Sequence, residues 1–194
     1  MLLSTGMSYH SEVMFALNKI YSYNKDVILM QCSADYPLKD EDVNLSVLNS
    51  FNESFDMLLG YSDHSFGIGA APYAVAMGAK VIEKHFTIDK TMKGPDHSAS
   101  LSPEELKQFV QQIRQVEVYL GNPIKMPAFS EIHNRELLQK KLVASRVIQK
   151  GENFSDQNVI AKRTGGKGIS PLYYENVFGR MANKYYNVND VIEI

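Results

Sequence analysis

The sequence predicts an α/β protein whose sheet is parallel. Three observations carry that expectation. Four short apolar runs read as strands (LLST, VILMQC, MLLGYSDH and KVIEKHF), each is followed by a segment with helical signals, and the loops between are short. Alternation of this kind implies right-handed crossovers, which set successive strands side by side with their carboxyl ends along one edge.

LLST opens the chain as a strand end, and SYHSEVMFALNKIYSY then places Val13, Met14, Ala16, Leu17 and Ile20 at helical spacing. VILMQC, at 27–32, is a buried strand. Asp42 to Phe55 carries Val43, Leu45, Val47, Leu48 and Phe51 in a less regular helix before MLLGYSDH returns to strand. The Gly- and Ala-rich stretch 67–79 reads as the next helix, and KVIEKHF as the strand after it. The last helix has the strongest signals. Ser102 suits the N-cap, Pro103 the first turn and Glu105 a capping box. Leu106, Phe109, Val110, Ile113 and Leu120 form its buried face, and Gly121 ends it.

From 122 to 140 the periodicity dissolves into NPIKMPAFSEIHNRELLQK, whose two prolines and mixed charge read as a linker. The predicted organisation is therefore a first domain over 1–121, a linker over 122–140 and a small second domain over 141–194. The second domain has short β-like runs, a Gly-rich turn at Thr164–Gly168 and a short helix capped by Ser170 and Pro171.

With 20 basic against 22 acidic residues, the net charge of −2 gives no electrostatic reason to bind nucleic acid or an anionic membrane. No apolar run approaches the roughly 18–20 residues of a membrane span, and MLLSTGMSYH lacks the pattern of a signal peptide. The one cysteine, Cys32, cannot form an internal disulfide. A cytoplasmic protein with small-molecule partners is expected.

Two histidines stand at strand ends, His64 in GYSDH and His85 in VIEKHF. On neighbouring parallel strands, residues of like parity share a face, so Ser62 and His64 on one strand meet Glu83 and His85 on the next. Carboxyl ends are where parallel α/β folds bind ligands. Two neutral imidazoles suit a divalent ion that also holds substrate oxygens, with Asp63, Glu83 and Asp96 as supporting carboxylates or further ligands. A lone histidine at a strand end is more often a hydrogen-bonded structural residue, and two histidines without a third ligand are by themselves a weak metal signature. STGM at 4–7 and SDHS at 62–65 carry the small hydroxyls of an anion site, though Ser and Gly are common in any such loop. Asp96 and His97 in GPDHSAS, and Lys162, Arg163 and Lys167 around the Gly-rich turn, have either catalytic and anion-binding roles or ordinary solvated ones.

LLSTGM, CSADYP, GYSDHS, IEKHFTIDK and GPDHSASLSPEE, in this order and followed by AKRTGGKGIS and YENVFGR, resemble the sialic acid synthase family over essentially the whole chain. The resemblance implies the carboxyl-terminal half of a TIM (β/α)8 barrel followed by an antifreeze-like SAF domain. It implies condensation of phosphoenolpyruvate with N-acetylmannosamine or a related N-acylated sugar, giving a nine-carbon sialic acid and phosphate, with Mn2+ or Mg2+ required. By position, His64 and His85 match the metal histidines, Ser4 and Ser62 the phosphoenolpyruvate-binding hydroxyls, and Tyr36 a residue of the substrate pocket. Asp96 matches a carboxylate near metal and acceptor, and Glu83 lies in the matching Glu-x-His segment. Arg163 matches an arginine that reaches the N-acetyl group in the partner subunit of a domain-swapped homodimer.

Ala34, and YPLK in place of a YPAP-like run, depart from the family pattern and put one phosphoenolpyruvate contact in doubt. A full barrel needs about 250 residues. The part before the linker starts at what matches the fifth strand, so the expected site is half a site, impaired alone and prone to self-association. EKHFTIDK with GPDHSASL favours the N-acetylmannosamine or legionaminic precursor over the pseudaminic one. A metal-dependent aldolase-like lyase and a non-catalytic binding or dimerisation module carrying a SAF-like tail are the alternatives.

Overall fold

The computed structural model describes residues 1–194, which fall into two compact units, Met1–Pro123 and Ile124–Ile194. In the first unit, strands β1 (Leu2–Ser4), β2 (Ile28–Cys32), β3 (Leu59–Asp63) and β4 (Val81–Lys84) alternate with helices α1 (His10–Tyr21), α2 (Val47–Ser54), α3 (Ala71–Ala76) and α4 (Pro103–Leu120). All three strand pairings are parallel, in the order β1-β2-β3-β4. Four βα units in this arrangement make half of a (β/α)8 barrel.

Strand alternation sorts the side chains. Leu29, Leu59 and Tyr61 face the helices and join Val13, Leu17, Leu48, Phe51, Ala71, Ala74 and Phe109 in the core. Burying a side chain such as Leu29 or Leu48 contributes about 1.5–3 kcal/mol. The residues between them, Ser4, Met30, Gly60 and Val81 in one lateral row and Cys32, Ser62 and Glu83 in the next, share the opposite, inner face.

α4 begins as its sequence dictates: Ser102 Oγ accepts from Glu105 N at 3.3 Å, while Glu105 Oε2 accepts from Ser102 N at 2.8 Å. Its apolar stripe is narrower than the spacing predicts. Phe109 is buried, but Val110 and Leu120 are exposed, as is Met14 on α1. The helix expected over 67–79 forms only over Ala71–Ala76. Gly67 and Gly69 take the left-handed region, with φ of 63° and 57°, which no helix continues.

The second unit contains α5 (Phe129–Leu138), an antiparallel pair of β5 (Lys140–Ala144) with β6 (Val159–Arg163), and α6 (Tyr174–Val177). α5 stands within the stretch 122–140, where the sequence shows no helical periodicity. Glu131 Oε2 accepts from Ala128 N at 2.7 Å and closes the first turn, and the helix breakers Pro123 and Pro127 both lie upstream of it. Leu142, Ile148, Phe154, Val159, Val177, Tyr186 and Ile192 form a separate small core. Ser170 Oγ accepts from Leu172 N at 3.3 Å and starts the 3₁₀ turn Pro171–Tyr173 before α6. No helix of the chain is long and apolar enough to cross a membrane.

Candidate active site

Each histidine is the residue that follows a strand, and each is fixed through its own carbonyl by an incoming loop. His64 O accepts from Leu38 N at 2.8 Å, and His85 O from Leu101 N at 3.0 Å. Lateral pairing of Ser62 with Glu83 and of Asp63 with Lys84 brings the two strand ends level. The rings of His64 and His85 therefore meet edge to face with centroids 5.2 Å apart. Tyr36, from the loop after β2, lays its ring 4.2 Å from that of His85 and 5.5 Å from that of His64. Its hydroxyl is 3.4 Å from Ser100 Oγ.

His64 Nδ1 lies 2.9 Å from the carbonyl oxygen of Ser33. A carbonyl only accepts, so Nδ1 is the donor, and in the neutral ring Nε2 is the nitrogen left to bind a ligand. Asp96 Oδ2 is 3.7 Å from His85 Nδ1, longer than a hydrogen bond. Ser62 Oγ donates to Glu83 Oε1 at 2.7 Å on the inner face. Desolvation raises the pKa of the Tyr36 phenol, with the Asp96 carboxylate adding to the shift against the opposing Ser100 bond. Burial likewise raises that of the Cys32 thiol, whose Sγ is 3.9 Å from His64 Nδ1.

Two hollows open at this edge. The larger, about 810 Å³, lies over the ends of β1 and β2 and contains neither histidine. The smaller, about 340 Å³, is lined by His85, Asp96, His97 and Ser100; Tyr36 and His64 stand against the His85 ring outside that lining. His97 is turned into its own loop, with Nδ1 2.8 Å from Thr87 Oγ1.

The sequence-predicted residues His64, His85, Tyr36, Ser62, Glu83 and Asp96 thus come together. Ser4 shares their face one row below Ser62. Arg163 ends β6 in the second unit, exposed and opposite Lys140. Asp63 is a correction. It is fully buried on the helix side of β3, because it alternates with Ser62 and His64, and so it is no candidate ligand. Ser33 and Ser100 escaped the sequence reading, since one acts through a backbone carbonyl and the other through a long-range approach.

No group of three or more His, Cys, Asp or Glu converges as a metal cluster. The donors at hand are two imidazoles, at least one with a free Nε2, and such a set suits a divalent ion only if substrate or water oxygens complete it.

The NeuB family profile matches residues 1–125. The chain belongs to the NeuB family. The N,N'-diacetyllegionaminic acid synthase of Campylobacter jejuni is 44% identical over 194 residues, covering 98% of this chain and 58% of that protein. The pseudaminic acid synthase of the same species is 36% identical over 194 residues, covering 99% and 56%. The crystal structure of the Bacillus subtilis spore coat polysaccharide biosynthesis protein SpsE superposes with a TM-score of 0.59 at 35% identity, over 100% of this chain and 59% of that one. The chain thus spans a little over half the length of these NeuB-family relatives.

Proposed function

We propose that this chain supplies the carboxyl-terminal part of a sialic acid synthase site, condensing phosphoenolpyruvate with an N-acylated sugar to give a nine-carbon acid and phosphate in the cytoplasm. The observation that carries the reading is the convergence of His64, His85, Tyr36, Ser62, Glu83 and Asp96 at the carboxyl edge of a NeuB-family parallel sheet. The higher identity to the legionaminic than to the pseudaminic acid synthase favours an acceptor of the legionaminic type.

In the reaction, the enol carbon of phosphoenolpyruvate bonds to the aldehyde carbon of the open sugar. Water adds to the resulting cationic C2, and phosphate leaves with cleavage of its C–O bond. Ser4, one row below, offers its hydroxyl to the anionic substrate, and Ser62 offers its own when its O–H turns from Glu83. Glu83, oriented by Ser62, accepts the proton of the attacking water. Asp96 lies where a proton can be delivered to the developing alkoxide beside His85. Tyr36, kept protonated, walls the pocket and turns its hydroxyl to Ser100. A divalent ion, Mn2+ or Mg2+, held by His64 and His85, supplies Lewis-acid polarisation of the aldehyde oxygen when bound. The second unit is read as a SAF domain, with Arg163 reaching the N-acyl group from the partner of a domain-swapped homodimer.

The test is product formation. Phosphoenolpyruvate, Mn2+ and either N-acetylmannosamine or the legionaminic precursor are incubated with this chain, alone and mixed with the other four βα units of a relative. Nine-carbon acid and phosphate in equal amounts are expected from the mixture, at a rate well above that of the chain alone. A mixture that forms complete barrels and yields no nine-carbon acid defeats the reading.

A further inference from the structure

β3 and β4 each carry a charged residue between the two that face the site: Asp63 between Ser62 and His64, and Lys84 between Glu83 and His85. The strand register sets Asp63 and Lys84 side by side, and their side chains are 0% and 3% exposed. Lys84 Nζ stands 3.3 Å from Asp63 Oδ2 and donates to the carbonyl of Ser65. Asp63 Oδ1 accepts from Ser65 N at 2.9 Å, Ser65 Oγ at 2.5 Å and Tyr61 OH at 3.3 Å. Oδ2 has no hydrogen bond, so the Lys84 ammonium is its sole compensation.

Burying such a pair is a poor way to gain stability, because well-packed apolar residues do as well or better. Direction is what it adds. His64 lies between Asp63 and Ser65, both held by Lys84, and His85 is the residue after Lys84. The knot therefore ties the backbone on both sides of one histidine to the strand that presents the other. Gly69 closes it from behind: a Cβ there would lie 1.9 Å from Ser65 Oγ.

We infer that Asp63 and Lys84 are positioning residues, whose buried contact through Ser65 locks the ends of β3 and β4 and sets the His64–His85 ring separation. The inference rests on reading the two histidines as one binding unit, and its first readout is independent of any ligand. In the labelled chain, a nuclear Overhauser cross-peak between the two rings reports their separation, and a long-range ¹H–¹⁵N spectrum reports the His64 Nδ1 proton. The second readout is calorimetric titration with Mn2+ alone. Leu48→Ala, in the core on α2 and remote from this cluster in sequence, controls for general destabilisation.

Lys84→Met is expected to lose the ring cross-peak and weaken Mn2+ binding by about tenfold or more, the scale of losing an orienting partner. Leu48→Ala is expected to lower the melting temperature and keep both signals. A wild-type cross-peak in folded Lys84→Met, or its equal loss in Leu48→Ala, overturns the inference. So does its absence from the unsubstituted chain. If Lys84→Met does not fold, Ser65→Ala, which deletes one hydroxyl and keeps both charges, decides the matter: a weakened cross-peak supports positioning and an unchanged one overturns it. An intact cross-peak with no Mn2+ binding in the unsubstituted chain defeats the metal reading alone, and the positioning inference is then judged on the cross-peak.

Discussion

His64 differs from an ordinary strand-end histidine in having one ring nitrogen committed to Ser33 O while its ring faces His85 at 5.2 Å. If the two imidazoles bind one ion jointly, His64→Ala and His85→Ala each remove a ligand, and each should weaken Mn2+ affinity in calorimetric titration by more than the roughly 10- to 100-fold that losing an orienting partner costs. Unchanged affinity in both single variants restores a structural role for the pair. Gly69 is a second residue whose identity is dictated by space. Its φ of 57° and the 1.9 Å approach of a Cβ to Ser65 Oγ leave no room for a side chain. Gly69→Ala should destabilise the first unit by more than about 1 kcal/mol, read as a lowered denaturant midpoint.

Among the elements, α4 owes its start to a reciprocal cap. Ser102→Ala removes one acceptor and should cost about 1 kcal/mol, a drop of roughly 3 °C in melting temperature. In the second unit, Arg146 holds Glu152 by a 2.6 Å ion pair, Gln149 N and Asn158 Nδ2 add hydrogen bonds, and together they bring its carboxyl down to about 2 from an ordinary 4.5. A carboxyl more acidic folded than unfolded stabilises the fold where it is ionised. Its contribution is complete above pH 4.5 and disappears as pH falls towards about 2. Because the site is exposed, salt should weaken the effect. Glu152→Gln is expected to flatten the acid limb of the second unit's stability curve, measured by denaturant titration between those two pH values.

For the molecule as a whole, the decisive feature is a four-stranded parallel sheet with β1 and β4 at its edges and an inner face on which Leu2 is 51% exposed. Unpaired edges and open apolar surface favour association. This 194-residue polypeptide should sediment as a concentration-dependent oligomer, and Leu2→Lys should shift it towards monomer. A monomer at all concentrations contradicts this. If Arg163 acts across a dimer, then in barrels completed with the other four βα units of a relative Arg163→Ala should raise KM for the acylated sugar far more than KM for phosphoenolpyruvate. Mixing that variant with His85→Ala in verified dimers should then recover part of the activity; no recovery argues against action in trans.

The sequence by itself determined the order of strands and helices in the first unit, the α4 cap and the face shared by Ser62, His64, Glu83 and His85, but not α5, whose stretch 122–140 shows no helical periodicity. Those follow from local periodicity and from strand parity, which neighbouring residues carry. Parity also held the answer for Asp63, which the sequence reading placed among candidate ligands although it alternates with Ser62 and His64. Tertiary structure alone decided the rest. It set Tyr36 across both rings, Ser33 O on His64 and Ser100 on Tyr36, through contacts that span 31 residues from Ser33 to His64 and 64 from Tyr36 to Ser100. It also left Val110 and Leu120 exposed, because burial depends on which neighbour covers a face, and periodicity does not encode the neighbour.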